Sequence, residues 1–279
     1  MFDNLRLMLD HPLNRGRAIS ALSRAAVWQI KSRLMPGPHI LPFIGQTKLA
    51  LRRGMAGATG NVYNGLHEFQ DMAFALHLLR PDDLFLDVGA NVGVYSLIAE
   101  ASGAKVVAFE PGERFPDLER NAALNGGRWR CIRAAVGART GSLRFTQGMD
   151  CANRPAIDNE PGINVPMVAL DDLGLNRPKL VKIDVEGYEA EVLAGGARTI
   201  SNADALIIEI SGEDDNVFGH GRGEVMELVE SWGFRRTDYE PFSRSLVAPT
   251  LRGNNIFVRG QLAEVLRSAP RHRIQGREI

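Results

Sequence analysis

The chain has 279 residues, 44% of them hydrophobic, and its 33 acidic side chains balance 33 basic ones. That composition excludes a disordered or fibrous protein and fits one large domain, or one domain with an appendage. A net charge of zero supplies no overall field for nucleic acid, which is not an expected partner.

At the amino end, MFDNLRLMLDHPLNRGR has acids and a proline where a signal peptide carries an apolar core. No apolar run reaches the ~18 residues of a spanning helix. Cys131 and Cys151 make neither a metal-ligand spacing nor a disulfide framework, and both read as structural thiols. The expectation is a cytoplasmic protein with no integral membrane segment.

Residues 17–35, RAISALSRAAVWQIKSRLM, place Ile19, Leu22, Ala26, Ile30 and Leu34 at helical spacing, and Pro36 ends the pattern. This predicts a helix with one apolar face. PGPHILPFIG is a turn-rich linker, and QTKLALRRG predicts a short strand that pairs with the region of Val62 and Tyr63. Residues 1–66 thus form an N-terminal extension of helix and short strands.

From 67 to 260 the pattern becomes an α/β domain. A helix runs from Glu68 through Leu79, with Phe69, Met72, Ala73 and Leu76 on its core face and His67 and His77 partly exposed at its flanks. Strands LFLDV, KVVAFE, WRCIRAAV, LVKIDVE and ALIIEIS follow, alternating with helices or turns as far as Ile210. Alternation of this kind predicts a parallel sheet with helices on both faces. A later helix, about Glu224 to Trp232, is capped by Gly233. FRRTDY and NNIFVR are expected to pair antiparallel at the sheet edge, and residues 261–279 read as a short helix with a polar tail.

The first strand of that domain ends at an acid. In FLDVGANVGVYSL, Asp87 precedes a turn through Gly89, Ala90, Asn91 and Gly93, after which Val94, Leu97 and Ile98 begin a helix. Such a turn brings a ligand close to the backbone and to a helix N-terminus. The spacing is G-x-x-x-G, without the third glycine of a dinucleotide fingerprint, and an acid at this place repels a pyrophosphate. It suits a ligand that carries an ammonium group, and the sulfonium, amine and ribose of S-adenosylmethionine meet that requirement. A nucleoside here needs an acceptor for its ribose hydroxyls about 20 residues further on. Glu110 stands at that place, and Pro111 turns the chain away. The third strand ends without an acid, which leaves apolar walls at Ala135 and Val136 for the base.

In KLVKIDVEGYEAEVLAGG, Lys182, Asp184 and Glu186 alternate with Val181, Ile183 and Val185, so all three charges share one face. Asp184 and Glu186 lie towards the carboxyl end, where open α/β sheets bind ligands. Lys182 lies deeper and needs a partner. Glu209, in ALIIEIS, is the expected one.

DVGANVG, Glu110 with Pro111, AAVG, LDDL at 170–173 and KIDVEGYEAEVLAGG resemble the FkbM-type S-adenosylmethionine-dependent methyltransferases, over about residues 68–258. The resemblance implies a Rossmann-like methyltransferase fold with a mostly parallel seven-stranded sheet, the last strand antiparallel. It implies methyl transfer to oxygen, commonly a hydroxyl of a sugar, glycolipid or secondary metabolite, so the partner is a small-molecule or glycan acceptor. It also places Glu68 near the cofactor. For the base that helps a weakly acidic hydroxyl, Asp184 comes first, Glu186 second and His220 third. Asp184 also borders the cofactor. The acidic Glu213, Asp214 and Asp215 read as a solvated loop, and no metal is expected. Two other classes stay open. One is an NAD(P)-dependent oxidoreductase, which the absent third glycine disfavours, and the other is a non-catalytic cofactor-binding or scaffold protein on the same fold.

Overall fold

The computed structural model describes residues 2–149, 152–157, 159–210, 218, 221–250 and 254–279. His220, Cys151 and the acidic loop at 213–215 lie outside the described residues. The chain opens with α1 (Phe2–Asp10), α2 (Ala18–Leu34), β1 (His39–Pro42), β2 (Lys48–Leu51) and α3 (Ala56–Asn64). The first βα units are α4 (Phe69–Leu78), β3 (Leu84–Val88), α5 (Val94–Ala101), β4 (Lys105–Phe109), α6 (Phe115–Leu124) and β5 (Arg130–Ile132). Then come β6 (Ala135–Val136), β7 (Gly141–Phe145) and β8 (Ile163–Val168), followed by β9 (Leu180–Ile183), α7 (Glu189–Gly195), α8 (Ala197–Ser201) and β10 (Ala205–Glu209). The carboxyl part holds α9 (Arg222–Ser231), β11 (Arg235–Glu240), β12 (Ser245–Val247), β13 (Asn254–Val258), α10 (Ala263–Arg267), β14 (Arg273–Ile274) and β15 (Arg277–Glu278).

The central sheet has the order β12-β11-β13-β10-β9-β3-β4-β5. Its five strands from β10 to β5 are parallel, and β13, β11 and β12 continue it antiparallel. This is the expected α/β layout, with an eighth strand where seven were expected, because the chain beyond β11 turns back on itself as β12. The order reverses between β3 and β9, the switch point where such sheets open a crevice. Alternation along the strands sends Phe85, Leu180 and Ile207 into a core shared with α4 and α5. Leu86, Val181 and Leu206 go to the opposite core, shared with α7 and α9. Both faces are therefore covered. Leu13, Trp28, Ile44 and Leu51 join the first of these cores, so the packing runs across the division at residues 66 and 67.

Several expectations need correction. Lys48–Leu51 pairs with His39–Pro42 and not with Val62 and Tyr63, which lie in α3. The reason is a turn closed by Phe43 N to Thr47 O (2.9 Å) and Thr47 Oγ1 to Ile44 O (2.8 Å), which folds the linker back as a hairpin. WRCIRAAV is broken after Ile132 by a turn from Ala134 N to Ile132 O. Its second half, β6, leaves the central sheet for a three-stranded one of order β6-β8-β7. His77 is fully buried, its Nδ1 2.7 Å from the Tyr239 hydroxyl, and burial pulls its pKa down to about 3. The tail ends in the β14–β15 hairpin, anchored by buried Ile274 and Ile279. α2 turns inward with Ala21, Trp28 and Ser32, leaving the predicted apolar stripe in solvent.

At one point helix and loop touch without room for a side chain. A Cβ on Gly195, in α7, would overlap the Gly137 carbonyl beyond β6. Gly195→Ala should therefore destabilise the protein by about 1–3 kcal/mol, the usual range for overpacking, as read from urea unfolding. Parental stability in this variant would mean that α7 is free to shift.

Candidate active site

A cleft of about 300 Å³ opens at the carboxyl ends of β3, β4, β9 and β10. Its floor is the turn after β3. Gly89, Asn91 and Gly93 all have positive φ, at 80°, 51° and 86°. Gly89 tolerates no other residue, because a Cβ there would overlap the Asp184 carbonyl oxygen. The loops after β3 and β9 are thus pressed together. Gly89 and Ala90 both donate to the Phe109 carbonyl, at 3.0 and 2.8 Å, which ties the turn to the end of β4 as well.

Glu110 lies just beyond β4 and is buried. Its Oε2 accepts from Asn91 N at 2.9 Å and its Oε1 from Gly112 N at 2.7 Å. A carboxylate has about four acceptor sites, so two remain for further donors such as ribose hydroxyls. Burial pushes Glu110 up to about 7, against the pull of those two amides. Asp87 is completely enclosed. Its Oδ2 accepts from Ser96 Oγ at 2.6 Å, whereas Oδ1 accepts no hydrogen bond among the described residues. Burial raises Asp87 above the usual carboxylate range, although Lys182 opposes the rise.

Lys182 is buried with its Nζ 2.6 Å from Asp184 Oδ2 and 4.8 Å from the centre of the Tyr95 ring. Burial alone would depress this ammonium, but Asp184, Asp87 and Glu68 outweigh it and hold it above its ordinary value. The expected ion pair with Glu209 is replaced by the pair with Asp184. Asp87 and Ile207 are the residues level with Lys182, and Glu209 sits two residues further along β10, across the strand from the Asp184 that takes the ammonium. Glu209 still faces the cleft. The charge of Asp184, ahead of burial, pushes Glu209 up to about 8.

The structure brings Glu68, Asp87, Gly89, Ala90, Asn91, Glu110, Pro111, Ala135, Val136, Asp184 and Glu186 to one cleft. Gly93 stands apart from the lining and shapes the turn as the residue before α5. Glu68 precedes α4 and accepts from the Tyr95 hydroxyl at 2.6 Å. Asn61 and Ala58 of α3, together with His67, form one wall, and Phe145, Asn153 and Pro155 another. Sequence reasoning missed these walls; His67, expected only as a partly exposed flank of the helix, faces the cleft, and so does Tyr188. An acid inside the apolar run of β10 was the one available signal for Glu209.

Among the described residues, six carboxylates and one lysine line a crevice at the switch point, where open α/β sheets bind their ligands. Comparison with known proteins narrows the class. The family described as Methyltransferase FkbM domain matches residues 87–236, more than half of the chain. Hexuronic acid methyltransferase AglP of Haloferax volcanii is 30% identical over 135 residues, covering 46% of this chain and 56% of that one. 31-O-demethyl-FK506 methyltransferase FkbM of Streptomyces tacrolimicus is 31% identical over 209 residues, covering 60% of this chain and 78% of that one. The crystal structure of methyltransferase FkbM from Methylobacillus flagellatus KT is a distant likeness, with a TM-score of 0.42 and 14% identity over 86% of this chain and 60% of that one. This chain belongs to the FkbM methyltransferase family. It spans little more than half the length of the Haloferax relative.

Lys182 is the cation that lets these acids share a site. Lys182→Met should destabilise the protein by about 3–5 kcal/mol at pH 8.5, where the carboxylates are left facing one another. The loss should shrink at pH 5.5, where Glu209 is protonated. Urea unfolding at the two pH values checks both statements, and an equal loss at both would deny the coupling.

Proposed function

We propose that this chain transfers the methyl group of S-adenosylmethionine to a hydroxyl oxygen of a sugar, glycolipid or related small molecule. The carrying observation is the charge of the cleft: among the described residues that line it, six carboxylates stand against one buried lysine, and Asp87 Oδ1 has no donor among them. That arrangement fits an ammonium beside Asp87 and a diol at the two open acceptor sites of Glu110. When bound, the cofactor supplies a methyl group already activated on a sulfonium. The chain has then to hold the acceptor oxygen in line and keep water out. Asp184, fixed by Lys182, orients the acceptor hydroxyl, and Glu209 takes up its proton near neutrality. Residues 1–66 serve as the acceptor-side wall through α3 and not as a separate functional unit. The Haloferax relative is named for a hexuronic acid and the Streptomyces relative for an oxygen position, which supports an oxygen of a sugar-like acceptor.

Calorimetry tests the cofactor. Glu110 and Glu209, at about 7 and 8, are partly protonated at neutral pH, and a cationic ligand favours their ionised forms. Binding should therefore release protons, and affinity should rise as pH goes from about 6 to 8. Glu110→Ala should weaken binding by about 1–3 kcal/mol. Absence of binding by S-adenosylmethionine and its demethylated product, up to millimolar concentration, would end the proposal. For the chemistry, transfer of labelled methyl to hexuronic acid glycosides is the assay. Asp184→Asn should lower turnover by about 10²–10⁴-fold with cofactor affinity nearly kept, and Glu209→Gln should lower turnover as far while also weakening the cofactor and flattening the rise of affinity with pH. Near-normal turnover in both would move the base to Glu186 or His220.

A further inference from the structure

We propose that the outer face of α2 docks on an anionic lipid bilayer. This inference is independent of the methyl-transfer reading. In an ordinary surface helix the apolar stripe faces the core and charge faces water. α2 is inverted. It buries Ala21, Trp28 and Ser32, and turns Ile19, Leu22, Val27, Ile30, Leu34 and the following Met35 into solvent, with Ile19 83% and Leu34 75% exposed. Scattered exposed apolar side chains are normal, whereas a continuous stripe along one helix marks a surface that something covers.

Charge identifies the occupant. From His11 to His67 the sequence has eight lysine and arginine residues and not one aspartate or glutamate, in a chain whose net charge is zero. The remainder of the chain accordingly carries a net charge of −8. Lys31 and Arg33 lie in the last turn of α2, and Arg33 is exposed next to Leu34. A second copy docking through this face would set two wholly basic segments against each other, which like-charge repulsion opposes. An apolar face with basic flanks, on a helix of 17 residues that is not long and apolar enough to cross a membrane, has the character of an interfacial helix lying on acidic headgroups. α2 also packs on α3, whose Gly57, Ala58 and Asn61 line the cleft, so docking sets the cleft one helix away from the lipid.

The test is flotation of the purified full chain with vesicles of phosphatidylcholine alone or with about 30% phosphatidylserine. Binding to the anionic vesicles should exceed that to neutral ones by about tenfold or more, and should fall as salt rises from about 0.1 to 0.5 M. Ile30→Ser with Leu34→Ser, and separately Lys31→Glu with Arg33→Glu, should each lower the bound fraction about tenfold with an unchanged melting temperature, since these side chains are exposed or only half-buried. Three results would overturn the proposal: no binding to anionic vesicles at low salt, equal binding to neutral ones, or binding that neither pair of substitutions alters. A fourth would be a dimer in sedimentation that Ile30→Asp dissolves while vesicles stay unbound, which would assign the face to a second copy.

Discussion

A buried ammonium surrounded by acids is the constraint on which the rest of this structure depends. Lys182 sits where β3 and β9 meet, level with Asp87 and bonded to Asp184, under the ring of Tyr95. Taken out of water alone it would be intolerable, and so would the acids. Together they hold one another in place, and among the described residues lining the cleft the acids outnumber the lysine. Burial holds Glu110 well above the ordinary 4.5 of a glutamate, and the charge of Asp184, with burial behind it, does the same for Glu209. A cation entering the cleft would relieve part of the repulsion that Asp184 exerts on Glu209.

The close approach of the two loops is the second half of that arrangement. Gly89 lies against the Asp184 carbonyl, and the Asp184 amide donates to the Val88 carbonyl at 3.0 Å. The glycine turn and the acid beyond β9 therefore belong to one rigid piece, so a ligand that touches the first is in register with the second.

Much of this was legible in the sequence because it rests on local demands. Asp87, Glu110 and Asp184 announce themselves as acids at the ends of apolar runs, and Gly89 and Gly93 as residues able to take positive φ. What stayed hidden depends on how separate segments meet. Periodicity put Lys182 and Asp184 on one face, but whether the ammonium reaches that neighbour or Glu209 on the next strand depends on how the side chains meet in the cleft. The apolar spacing of α2 was read correctly, but which face turns inward was decided by Trp28 packing edge-on against His39. His77 looked like a flank because its partner, Tyr239, is 162 residues away.

The two sides of the cleft differ in what holds them. The acids stand on the central sheet, inside two large cores, whereas the wall at Phe145 belongs to the β6-β8-β7 sheet, whose own small cluster is Ala135, Phe145 and Val165. Leu143 and Phe145 of β7 belong to that small cluster and can change without disturbing either large core, one of which Val136 and Val168 of the other two strands join. Such a division lets a lineage retain one half of its site while the other drifts, so descendants of this architecture can part company over what they act upon long before they differ in how they act.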